Sequence, residues 1–308
     1  MKTCFLFPGQ GAQYPGMGRD LWENSEEVKE LFKTVSNITG KDMADLLFEG
    51  SEEDLKATDN TQLAITLANV SSSIVLKEKG IEAHGAAGFS LGEYAALWQA
   101  GILGTEDLFR IVKMRGEVME AACNALDGPE GRPGMAAVVG LASADVKAAL
   151  DKVSGTIYMA NDNSPIQTVI AGEAKALEAA EAVMDEAGAM RYVVLKVSGP
   201  FHTPFMDGAR QDFVANLKDF TFKDPIIPVY SNVTGKIIAS GSEAKELAGS
   251  QIISPVQWVA EEQSILDDGY ERILEVGPGM VLTGLWKSFY RKMKCQPAGK
   301  IDAIEKLV

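Results

Sequence analysis

The sharpest chemical signal in this sequence is nucleophilic. Gly88-Phe89-Ser90-Leu91-Gly92 has the Gly-x-Ser-x-Gly spacing of a nucleophile elbow. A serine held on a sharp strand-to-helix turn projects its hydroxyl into a cleft. Flanking glycines let neighbouring backbone pass where a Cβ would collide. The run Leu91 to Ala100 reads as the helix after the turn, closed by Gly101. The N–H of Leu91 would then point to where an oxyanion forms. On their own, these five residues fit an ordinary turn serine capping a helix equally well.

A nucleophilic serine needs a base within hydrogen-bond reach. The chain has two histidines. His84 lies in or before the strand that feeds the elbow, so it reads as structural. His202 stands in Val197-Ser198-Gly199-Pro200-Phe201-His202-Thr203-Pro204 and is the remaining candidate, the alternative being a turn histidine satisfied by backbone. A hydrolase elbow is followed by an acid and then the histidine, yet no acid between Ser90 and His202 stands in a recognisable triad loop. A backbone carbonyl can take the acid's place, because it accepts from the imidazole Nδ1–H without adding charge. The expectation is a dyad.

Two further segments bear on the same site. Thr3-Cys4-Phe5-Leu6-Phe7 is a short apolar strand running into Pro8-Gly9-Gln10-Gly11-Ala12-Gln13. A phosphate loop is excluded, since no Gly-Lys-Ser/Thr follows and Tyr14 stands where a dinucleotide fingerprint has its third glycine. Such a loop can instead offer a backbone N–H, that of Gln10, and a glutamine side chain. Arg115 stands on the apolar stripe of a helix over Asp107 to Ala122, with Ile111 and Met119 one turn to either side. An arginine on a core face needs an anion. That anion is either a protein carboxylate, if the stem does not snorkel out, or the carboxylate of a substrate, which a guanidinium grips bidentately.

These residues need elements to position them. The first third of the chain alternates strand-like and helical segments, including a helix over Gln62 to Lys79, and predicts a parallel sheet covered by helices. A Gly/Pro-rich loop spans residues 127–134. Beyond it come a strand (Met135 to Leu141), a helix (Ala144 to Val153) and a strand (Thr156 to Ala160). A strand (Gln167 to Ala171), a helix (Ala174 to Ala187) and a strand (Arg191 to Val197) follow. That order, β-α-β-β-α-β, is ferredoxin-like. The predicted fold class is α/β. A large α/β-hydrolase-like domain with a parallel sheet takes residues 1–127 and 198–308, and a ferredoxin-like subdomain is inserted at 128–197, its two boundaries close in space. Further strands are predicted at Ile227 to Ser231 and Tyr270 to Val276, the latter ending in the turn Gly277-Pro278-Gly279.

Composition sets outer bounds. With 308 residues, 46% of them hydrophobic, the chain can bury a sizeable core. A net charge of −14 argues against nucleic acid and against an anionic membrane surface. Lys287, Arg291, Lys292 and Lys294 form a local basic cluster, which either meets an acidic partner or simply solvates a helix end. Cys4, Cys123 and Cys295 have no metal-ligand spacing and fit a reducing compartment, so the chain is read as cytoplasmic.

Phe7-Pro8-Gly9-Gln10-Gly11-Ala12-Gln13, followed far downstream by Gly88-Phe89-Ser90-Leu91-Gly92-Glu93, resembles the acyltransferase family of fatty-acid and polyketide synthesis. Three further matches come in the same order: Met114-Arg115-Gly116, Pro200-Phe201-His202-Thr203, and Gln251 with Ser254-Pro255-Val256-Gln257-Trp258. The resemblance implies a ping-pong transfer from malonyl-CoA to an acyl carrier protein. Ser90 would be the nucleophile, His202 the base, and the Gln251 carbonyl the orienting group. The N–H groups of Gln10 and Leu91 would form the oxyanion hole, and Arg115 would hold the malonyl carboxylate. Asn161 and Asn163 would face the site, though Asn and Asp in that run also suit a turn. Phe201 would leave no room for a branched extender, the alternative being a core ring. One residue departs from the family, Phe89, where histidine is usual beside the acyl group. No metal and no cofactor beyond the CoA thioester is implied. A serine esterase or thioesterase is the rival reading.

Overall fold

The computed structural model describes residues 1–128 and 131–308; Pro129 and Glu130, in the loop expected at the first boundary, lie outside the described residues. The strands are β1 (Thr3–Phe7), β2 (Gly85–Gly88), β3 (Gly134–Val139), β4 (Ile157–Ser164), β5 (Gln167–Gly172), β6 (Arg191–Val194), β7 (Arg272–Glu275) and β8 (Cys295–Pro297). They form two separate sheets. One has the order β2-β1-β7-β8 and is parallel throughout. The other has the order β4-β5-β3-β6 and is antiparallel throughout. The protein is therefore a mixed α/β fold with a parallel sheet and a distinct antiparallel one. The two ends of the segment carrying the second sheet meet, because Arg132 Nη1 donates to the Ser198 carbonyl at 3.1 Å.

The parallel sheet reads as it packs. β1 is an unbroken apolar run, and all its residues are buried, as a strand covered on both faces requires. β2 is Gly-Ala-Ala-Gly because the chain must crowd there. A Cβ on Gly88 would stand 2.1 Å from the carbonyl carbon of Gly92, and one on Gly92 would stand 2.0 Å from the Phe7 carbonyl oxygen. The elbow helix, Gly92–Gln99, thus lies directly over the end of β1. The helix predicted from Gln62 runs Thr58–Glu78 and is buried nearly all round. Two of its buried hydroxyls bond within the helix, Ser71 to the Leu67 carbonyl and Ser72 to that of Ala68.

The structure corrects three expectations. Ile227 to Ser231 is not a strand. It makes a single bridge from Val229 to Ala86 of β2, where Ala86 N–H donates to the Pro228 carbonyl and Tyr230 N–H to that of Ala86, and a second from Tyr230 to Ile237. Pro228 has no N–H, so the ladder does not extend. The strand expected over Thr156 to Ala160 does not stop at Ala160: β4 runs Ile157–Ser164, through Asn161 and Asn163, with register shifts on both sides, because pairing with β5 and a bridge to Val256 override the turn preference of Asn and Asp. Finally, β6 stops at Val194 rather than Val197. Because backbone, not a flexible side chain, blocks a Cβ at Gly92, Gly92→Ala should destabilise the fold by about 1–3 kcal/mol, measured by urea unfolding. A variant as stable as the parent would show that the elbow can slide off β1.

Candidate active site

Among the described residues only two non-glycine residues have a positive φ, Ser90 at 52° and His202 at 60°. Left-handed backbone at such residues persists only where surroundings enforce it. Both side chains converge. Ser90 Oγ and His202 Nε2 are 2.7 Å apart, and His202 Nδ1 lies 2.9 Å from the Gln251 carbonyl oxygen. A carbonyl only accepts, so Nδ1 carries the proton and the Nε2 lone pair faces the serine. Burial holds the imidazole down to about 4, with the Arg115 charge acting the same way against the hydrogen bonds to Gln251 and Ser254. At neutral pH His202 is therefore an uncharged base.

The elbow is clamped at both ends of its serine. Ser90 N–H donates to Asn232 Oδ1 at 2.6 Å, and Gln251 Nε2 donates to the Ser90 carbonyl at 3.0 Å. Asn232 is itself fixed, donating through Nδ2 to the Gly88 carbonyl at 2.7 Å and to Glu261 Oε1 at 2.8 Å. Glu93, in the elbow helix, accepts from the Asn232 N–H at 3.2 Å and from Gln251 Nε2. The sequence reading singled out neither Asn232 nor Glu261, and no motif marks them.

Arg115 comes from the helix Thr105–Ala125 and is 2% exposed, so its stem does not snorkel out. Its guanidinium donates from Nη1 to Gln62 Oε1 at 2.9 Å and from Nη2 to Gln251 Oε1 at 3.2 Å, and it lies 5.4 Å from the centre of the Tyr94 ring. Its Nε has no partner. Among the described residues no carboxylate lies within ion-pair distance of it, so a direct ion pair with a protein carboxylate does not hold.

The loop after β1 presses against the elbow. Phe89 N–H donates to the Phe7 carbonyl at 2.9 Å, and a Cβ on Gly9 would stand 2.3 Å from the Phe89 carbonyl oxygen and 3.5 Å from Leu91 N. Among the described residues the N–H groups of Gln10 and Leu91 make no hydrogen bond, which leaves both free to receive an anion. A cavity of about 640 Å³ opens beside His202, between β4, the helix Ser143–Leu150 and residues 253–257.

The remaining expected site residues make contacts of their own. Phe89 meets Trp258 edge-on at 5.4 Å. Phe201 is buried among the large core cluster. Asn161 and Asn163 are buried on β4 and bond to none of Ser90, His202 or Arg115; Asn163 Oδ1 is unpartnered. His84 exchanges backbone and ring hydrogen bonds with Thr3 at the start of β2, a structural place.

A hydroxyl against a neutral imidazole is a site for acyl-group chemistry on an α/β frame. The sequence matches the acyl transferase domain family over residues 4–302, and the chain belongs to that family. It is 37% identical to a malonyl CoA-acyl carrier protein transacylase of Bacillus subtilis, covering 99% of this chain and 95% of that one. It is 39% identical to the Escherichia coli protein of the same description, covering 93% and 92%. A solved complex of a type II polyketide-synthase acyl-carrier protein with its malonyl-transacylase superposes with a TM-score of 0.94 at 34% identity, covering 99% and 98%.

Because the imidazole stays neutral down to about 4, labelling of Ser90 by a neutral fluorophosphonate should keep its rate from about pH 7 to about pH 5. Below about pH 4 it should fall roughly tenfold per unit as Nε2 is protonated. A decline that already starts near the ordinary histidine range would mean that His202 is more solvated than its burial indicates.

Proposed function

We propose that this protein moves a malonyl group from malonyl-CoA to the phosphopantetheine thiol of an acyl carrier protein through a malonyl ester on Ser90. The observation that carries this reading is the buried Arg115 guanidinium, with no carboxylate in direct contact, next to the Ser90–His202 pair. In the proposed reaction His202 takes the hydroxyl proton as Ser90 attacks the thioester, and the Gln251 carbonyl holds the imidazolium in register. The N–H groups of Gln10 and Leu91 receive the oxyanion. Arg115 binds the free malonyl carboxylate, while Asn161, Asn163, Phe201 and Phe89 shape the surroundings. CoA leaves, and the carrier thiol takes the acyl group by the reverse steps. The chemistry calls on no metal or redox cofactor.

The same reading extends to organisation. We assign residues 1–127 and 198–308 to an α/β-hydrolase-like catalytic unit and 128–197 to a ferredoxin-like one, a partition supported by the order β4-β5-β3-β6 and the Arg132–Ser198 closure. No helix among the described residues is long and apolar enough to cross a membrane. Three buried, unpaired cysteines fit a cytoplasmic setting. A carrier protein of polyketide rather than fatty-acid synthesis is a second reading, favoured by the solved complex.

Malonyl-CoA should add one malonyl group to the intact protein, and Ser90→Ala should carry none. His202→Ala should slow acylation by roughly 10²–10⁴-fold. The adduct should discharge onto holo acyl carrier protein much faster than onto water; hydrolysis keeping pace would favour the esterase reading. Arg115→Ala should lose malonyl transfer by on the order of 1.5–3 kcal/mol or more while sparing acetyl transfer. Equal losses for the two acyl groups would make Arg115 structural.

A further inference from the structure

Arg115 keeps a full positive charge inside the protein, and a negative group lies one amide away from it. Nη2 donates to Gln251 Oε1 at 3.2 Å, and Nε2 of the same carboxamide donates to Glu93 Oε2. The carboxamide thus links a guanidinium to a carboxylate, donor to acceptor at each end. Glu93 is fully enclosed. It faces Arg115 from the helix Thr105–Ala125, Glu261 from the helix Trp258–Asp267, Tyr94 on its own helix, and the polar groups of Gln251, Ser231 and Asn232. We propose that Glu93 is the resident counter-charge of Arg115, relayed through the Gln251 carboxamide, and that a substrate carboxylate arriving on Arg115 drives a proton onto Glu93. This rests on the reading of Ser90 and Arg115 given above.

The physical ground is charge balance in a dry site. One guanidinium can compensate one buried carboxylate, whereas two carboxylates beside it leave an uncompensated charge away from water. The cheapest relief is protonation of the group whose titration already lies near neutrality. Burial pushes Glu93 up to about 7, against the hydrogen bonds from Gln251 and Asn232 and the attraction of Arg115. Glu261 is raised well above the usual carboxylate value, by burial first and Glu93 second, so it disfavours a second ionised carboxylate beside it. Occupying Arg115 with a second anion weakens the one charge that favours ionised Glu93. By reciprocity, a proton on Glu93 tightens carboxylate binding as much as bound carboxylate tightens the proton. Glu93 is thus a specificity-tuning residue. It competes with acyl groups that carry a carboxylate and is indifferent to those that do not.

The acylation step itself exchanges no proton with solvent. The C–S bond of the thioester breaks, the C–Oγ bond to Ser90 forms, and the hydroxyl proton passes through His202 to the leaving CoA sulfur, which stays a thiol near neutral pH. Any proton taken from solution therefore belongs to the coupling. The experiment mixes the whole protein stoichiometrically with malonyl-CoA near pH 7 in weakly buffered indicator solution, then weighs the quenched protein. The expected result is a fraction of a proton taken up per Ser90 malonylated, shrinking toward zero by about pH 5.5, and no uptake with acetyl-CoA. KM for malonyl-CoA should rise several-fold between about pH 6 and about pH 8, at most tenfold per unit, with no such trend for acetyl-CoA. Glu93→Gln should abolish the uptake and flatten that profile. A malonyl adduct formed by the parent protein without proton uptake overturns the proposal, whether or not the variant folds, and so does a folded Glu93→Gln with the parent's profile. Absence of any malonyl adduct overturns the reading of Ser90 instead.

Discussion

The backbone of Ser90 is the constraint on which the rest depends. A φ of 52° at a residue with a Cβ is strained by roughly 1–2 kcal/mol, and only that conformation lifts the hydroxyl out of the turn towards His202. The strain is met by two side-chain amides from distant segments, Asn232 on the serine N–H and Gln251 on its carbonyl. Each hydrogen bond contributes about 1 kcal/mol net, so together they offset the cost. The glycines serve the same end, since Gly9, Gly88 and Gly92 let β1, its loop and the elbow helix lie in mutual backbone contact. Loosening any of these contacts moves the hydroxyl relative to the imidazole.

Gln251 joins what would otherwise be separate devices. Its carbonyl takes the His202 Nδ1 proton, its Nε2 holds Ser90 and Glu93, and its Oε1 accepts from Arg115. One residue, buried to 1% exposure, thereby touches the candidate nucleophile's backbone and the anion-binding group through its side chain, and the candidate base through its backbone carbonyl. Such a network is stiff because a buried amide with a lost partner is penalised in full. Nearby, Glu262 shows what happens without compensation. Burial raises it to about 9, so it sits protonated, with Trp258 Nε1 on one oxygen and nothing on the other.

The parts legible in the sequence were those with local signatures. Gly-x-Ser-x-Gly, the apolar run of β1 and the periodic helix around Arg115 each state their conformation within a few residues. The β-α-β-β-α-β order was legible because turns and periods alternate cleanly between 134 and 194. What failed was non-local. Asn161 and Asn163 look like turn residues and become strand only because β5 and Val256 pair with them. Ile227 to Ser231 looks like a strand and stops because Pro228 interrupts the ladder. Asn232 and Glu261 carry no pattern at all, and Glu93 only closes the elbow motif, which says nothing of its partners. Their importance arises from hydrogen bonds across 29 to 158 residues of separation, which periodicity cannot register.

The absence of a carboxylate on His202 follows from the charge the substrate would bring. A histidine oriented by an acid suits a neutral ester, because the acid stabilises the imidazolium at no electrostatic expense to binding. A malonyl group carries its own carboxylate into the same enclosed space. An ionised acid in direct contact with His202 would repel it at close range in a low dielectric. A carbonyl dipole orients the ring without that repulsion, and the buried acid Glu93 is set one carboxamide back from Arg115. There its charge balances the empty guanidinium and can be silenced by a proton when another anion arrives. In the proposed reaction, then, the choice of a dyad and the presence of a buried arginine are two consequences of one requirement, that the enclosed site hold no more than one uncompensated charge at any step.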